Sequence, residues 1–82
     1  MKFMVEFHLE PGAKDQAFAS FEQRGPNRNP GVTFLGAWIA KRDDIAYVLV
    51  DAQDEAFVAK VAESWANVGS AKIHPVIDVQ QY

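Results

Sequence analysis

Apolar residues in this chain recur with two different periods, and the switches between them mark the elements. From Lys2 to Leu9 the period is two: Phe3, Val5, Phe7 and Leu9 alternate with Lys2, Met4, Glu6 and His8. That is the pattern of a β-strand with one buried face, here the odd one. Glu10-Pro11-Gly12 ends it. From Ala13 to Arg24 the period becomes helical. Ala13, Ala17, Phe18 and Phe21 share a stripe, and Lys14, Asp15, Gln16, Glu22 and Gln23 lie opposite. Gly25-Pro26 stops that helix. Asn27-Arg28-Asn29-Pro30-Gly31 then reads as a turn-rich connector rather than a lid over a site.

Val32 to Lys41 and Ile45 to Val50 read as two strands joined by a polar turn at Arg42-Asp43-Asp44. Unlike the first strand, they hardly alternate. Phe34, Leu35, Ala37, Trp38, Ile39 and Ala40 are nearly continuous, as are Ile45 to Val50. Strands of that kind want cover on both faces. Asp51 or Asp54 caps a second helix, with Asp51 and Asp54 spaced as in a capping box. The helix runs to about Val68 on a stripe of Phe57, Val58, Val61, Ala62, Trp65 and Val68, with Gly69 placed as its C-terminal left-handed residue. Ala71 to Val79 is a last strand, Ile73, Pro75, Ile77 and Val79 on one face and Lys72, His74, Val76 and Asp78 on the other. Pro75 offers no N–H, so this strand belongs at a sheet edge.

The order β-α-β-β-α-β with right-handed crossovers gives an α+β, ferredoxin-like fold. Its four-stranded antiparallel sheet has the order 4-1-3-2, with both helices on one face. Residues 1–82 make a single domain. Two helices cover one face only, so the other needs a cover that this chain does not provide. A second copy is the simplest candidate, and the expected assembly is a homodimer with open sheet faces together. A chain of 82 residues buries only about 60–65% of its unfolded surface, which favours pairing.

Residues also carry a resemblance. MKFMV at the start, GVTFLGAW in the second strand, YVLVDAQD before the second helix, and a Trp followed by HPVID are similar, as a set, to an uncharacterised bacterial family, domain of unknown function 3303. The likeness covers nearly the whole chain. It implies a ferredoxin-like domain pairing as a dimeric α/β barrel, and it implies no activity. The family usually shows an Arg and a His flanking the Trp of the second strand. Ala37 and Ile39 stand there in this chain, so no polar role is carried over to them, while Trp38 matches.

Charge and composition narrow the functional classes. The net charge is −3, which gives no general attraction to nucleic acid or to an anionic membrane. There is no cysteine, which excludes disulfides and thiolate metal sites. MKFMVEFHLE is not a signal peptide, and no stretch approaches the ~20 apolar residues of a membrane span. A cytoplasmic location is the expectation. An aromatic-bearing sheet suggests single-stranded RNA binding, but the basic surround and the RNP1 pattern are missing. No phosphate loop, nucleophile elbow, zinc finger or EF-hand spacing occurs.

The remaining chemistry lies on the open sheet face. Antiparallel pairing of the first and last strands is expected to bring His8 near His74 and Met4 near Asp78. Glu6, His8, His74 and Asp78 would then surround a space walled by Tyr47 and by Trp38, whose strand is apolar on both faces and allows the indole on either. Histidines beside carboxylates suit proton transfer. They also suit a zinc or iron site, but the short His spacing of a metal motif is missing and no metal or cofactor is expected. Hydrogen bonding across a dimer interface is the favoured account of the polar residues, core or interface packing that of Trp38 and Tyr47, and Trp65 reads as core. Two functions stay open. One is a homodimer that binds a small apolar molecule between its sheets, or is purely structural. The other is a cofactor-independent enzyme, monooxygenase- or isomerase-like, acting on a small apolar or aromatic compound, with His8 or His74 moving the proton. The second rests on fold analogy.

Overall fold

The computed structural model describes residues 1–24, 31–66 and 68–82. The expected connector at Asn27 to Pro30, the stop at Gly25-Pro26 and the side chain of Phe21 lie outside the described residues. Among these residues four strands and two α-helices follow one another as β1 (Lys2–Leu9), α1 (Lys14–Arg24), β2 (Val32–Ile39), β3 (Ile45–Ala52), α2 (Glu55–Glu63) and β4 (Gly69–Val76). The strands form one antiparallel sheet in the order β2-β3-β1-β4, which is the expected order.

Local chemistry accounts for the boundaries. Ala13 N–H donates to the Glu10 carbonyl, and Gly12 between them has a φ of 81°. Pro11 followed by a left-handed glycine is a type II turn, and it aims the chain from β1 into α1. Asp54 caps α2, its Oδ1 accepting from the Ala56 N–H at 2.8 Å. Asp51 takes no part in that cap. It remains in β3 and accepts from the Met1 amino group.

α2 is shorter than its apolar stripe predicts. It ends at Glu63, and Ser64 Oγ donates to the Val61 carbonyl at the cap. Tight turns through Trp65 and Ala66 follow, closed by Val68 N–H on the Trp65 carbonyl. Gly69 is therefore not a left-handed cap but the first residue of β4. It must be glycine for space: a Cβ there would sit 2.2 Å from the His8 carbonyl oxygen. β4 stops at Val76 because its partner stops too, with Lys2 opposite Val76. Ile77 and Val79 consequently lie in solvent, 61% and 89% exposed, rather than on the buried face.

The core fills the space between the helices and one sheet face. Phe3, Val5, Phe7 and Leu9 of β1, Val48, Val50 and Ala52 of β3, Val32 of β2, Val58 and Val61 of α2, and Val68 are buried. The Phe7 and Trp65 rings meet at 5.9 Å between centroids, so Trp65 packs against the core as expected. The seat of α1 is lighter. The described part of α1 and the turn before it give the core Ala17 and Ala13, while Phe18, a quarter-turn away, is 53% exposed. Lys14 Nζ ties the first turn to the Ala40 carbonyl at 3.0 Å.

Candidate functional site

On the face away from the helices, the ladder sets side chains in rows across the sheet. Paired residues of an antiparallel ladder point to the same side. Trp38, Tyr47, Glu6 and Lys72 make one row through all four strands, and Gly36, Leu49, Met4 and His74 make the next. His8 lies in the row on the other side of Glu6, with Ile45 and Ser70 beside it.

Trp38 reaches this face because of a bulge. Strict alternation from buried Val32 through Phe34 and Gly36 would set Trp38 against the helices. The register shifts between Phe34 and Gly36, so that Leu35 is extra and Trp38 comes opposite Tyr47 on the open side. Gly36 leaves room for the indole. A Cβ there would sit 2.7 Å from Trp38 Cη2, so the ring lies along the strand over the glycine. The indole remains 55% exposed, and being on the edge strand Trp38 also borders the space under α1. Ala37 and Ile39 on either side pair with Val48 and Ala46, toward the helices.

Glu6 is the hub of the polar residues. Its Oε2 meets His8 Nε2, two residues along the same strand and face. Its Oε1 is 3.6 Å from His74 Nε2, an ion-pair distance rather than a hydrogen bond. The carboxyl is held below the usual glutamate range, first by the hydrogen bond from His8 and then by the charges of His8, His74 and Lys72, against a desolvation that raises it. The expected register is corrected here. His74 stands opposite Met4 and not opposite His8, whose partner is Ser70. The two histidines nevertheless converge, because both reach Glu6 from neighbouring rows. Asp78 does not join them. It lies past the end of β4, where its Oδ1 accepts from the Gln80 N–H and caps a 3-10 turn over Val79–Gln81.

This arrangement orients an imidazole. A carboxylate on one ring nitrogen fixes the ring and supports a proton on it, which is the partner that a general acid or base needs. It is poorly suited to a metal ion. Both imidazoles aim Nε2 at opposite oxygens of one carboxylate, not at a shared point, and among the described residues no three His, Asp or Glu gather as a metal-holding group. The surroundings of the polar cluster are apolar: Met4, Tyr47 and Leu49 are half-buried beside it. Leu49 was not among the residues singled out from the sequence, although its parity with Tyr47 places it on the same face.

Residues 1–82 match the family model of a domain of unknown function, DUF3303. The chain belongs to the DUF3303 family. No curated protein and no solved structure matches it. Membership in DUF3303 brings no activity with it. Among its described residues no helix is long and apolar enough to cross a membrane.

Proposed function

We propose that the protein is a homodimeric small-ligand-binding domain, closed by packing its two open sheet faces together. One observation carries the reading: an oriented Glu6–His8–His74 cluster sits on a helix-free sheet face whose neighbouring positions are Trp38, Tyr47, Leu49 and Met4. An apolar wall with a few convergent polar groups is the ordinary composition of a small-molecule site. The occupant of the face is a second copy. Lys2, Lys72 and the Met1 amino group stand among Glu6 and Asp51 on it, so charges of both signs are interspersed and no block of one sign repels its own duplicate. A face of one sign would have favoured a partner of the other sign.

The His8–Glu6 bond supports a second reading. An imidazole held by a carboxylate is equipped to move a proton, so the same space serves a cofactor-independent enzyme acting on a small apolar or aromatic compound. The two readings share the dimer and differ in whether the bound molecule changes.

Native mass spectrometry of the protein as purified tests the shared part. A dimer is expected, and Leu49→Lys, which sets a charge in the middle of the face, is expected to give a folded monomer. A wild-type monomer at micromolar concentration would refute the proposal, as would a dimer indifferent to Leu49→Lys. Extra mass on the dimer identifies the ligand. Turnover of that ligand, lost in His8→Ala, decides for the enzyme.

A further inference from the structure

On the other side of the sheet the protein contains a second space. A partly enclosed cavity of about 220 Å³ lies between α1 and strands β1, β3 and β2, walled by Phe7, Phe18, Ala37, Ile39, Ala46 and Val48 among others. Its origin is in the sequence. Alanines stand on both sides, Ala17 on α1 and Ala37 and Ala46 on the sheet, where larger residues would close the gap. α1 is tied down at its first turn by Lys14 on the Ala40 carbonyl and by Ala13 and Ala17 in the core, and beyond that point Phe18 stands half out. Phe18 and Ile39 both line the space and are both partly exposed.

We infer that this cavity is a binding site for a small uncharged hydrocarbon-like molecule, aromatic or aliphatic, of the size of benzene or naphthalene. The volume sets the size. It is below the roughly 300 Å³ at which pockets for drug-sized ligands begin, and above the about 150 Å³ of a dry apolar cavity that takes up benzene or xenon. The lining sets the chemistry. Apart from the indole N–H groups of Trp38 and Trp65, the described lining residues carry no polar side-chain group, so a charged molecule would lose its water and find no counter-charge there. A molecule without such groups gains the dispersion contacts that an unfilled space forfeits. The site is separated by the sheet from Glu6, His8 and His74, and Trp38, on the edge strand, borders both it and the face proposed above to pair.

Benzene is the probe. It is titrated into the wild-type protein while the melting temperature and the methyl NMR resonances are followed. A saturable rise in melting temperature is expected, with shifts at Leu9, Val48 and Val61, which line the cavity, and not at Leu49 or Met4 on the opposite face. Ala46→Leu fills the space from the sheet floor and is expected to remove the saturable response. Ala37→Leu does so from an exposed edge position that the fold tolerates, and it serves if Ala46→Leu does not fold. No saturable rise in the wild type overturns the inference. So does a response that survives in the filled variants, or one centred on Leu49 and Met4.

Discussion

Glu6 holds both histidines of the open face, and its ionisation sets how the domain meets acid. Its folded pKa is depressed, chiefly by the His8 hydrogen bond. Entering the carboxylate range from above, the unfolded chain takes up the proton at this residue before the folded one does. Stability is therefore gained at high pH and lost as the pH falls through the depressed value. Urea midpoints measured from about pH 6 to pH 3 are expected to fall more steeply in the wild type than in Glu6→Gln, whose residue 6 does not titrate. Superimposable curves would show that the cluster contributes nothing to folding. The same residue scale shows what a sequence discloses. Glu6 and His8 share a face by simple alternation. The meeting with His74 depends on a register that no alternation specifies, so the cluster was legible as a set of residues but not as a geometry. Trp38 was harder, because an apolar run supports either face. The only sign of the bulge was Gly36 inside a strand, a position where glycine often marks one.

At the scale of elements, the two helices are held differently. α2 has a cap and a buried stripe, and it lies on β4, β3 and β1. Asp54→Ala removes the side chain that accepts from Ala56 N–H, and it is expected to cost about 1 kcal/mol in urea unfolding. Asp51→Ala leaves the α2 N-terminus capped, so helical circular dichroism distinguishes the two aspartates that the sequence could not rank. α1 carries the lighter load, with alanines toward the sheet. Helix existence was readable from the 3.6-residue stripes in both cases. The end of α2 was not, because Trp65 and Val68 continue the apolar pattern through turns that are no longer α-helical, while a crowded backbone claims Gly69 for β4.

For the whole molecule, the order of the strands follows from the element sequence and the handedness of crossovers, and Pro75 assigns β4 to an edge. What did not follow was how much of β2 and β3 would lie open. Their continuous apolar runs face the core on one side and, on the other, a surface that the described residues leave bare. The pairing proposed above would tie stability to protein concentration. The thermal midpoint is expected to rise over a hundredfold increase in protein concentration, by mass action on the paired state, and a constant midpoint would mean that the domain stands alone.

The proline and the bulge have a joint effect on colloidal behaviour. A four-stranded sheet has two rims, and each is a template on which another chain can add a strand and start a ribbon. Pro75 interrupts the donors along β4, and the irregularity at Leu35 breaks the regular spacing along β2. Lateral growth is hindered at both rims, while face-to-face contact is left free. A small domain with a bare apolar sheet can thus pair and stop, instead of extending into fibrils.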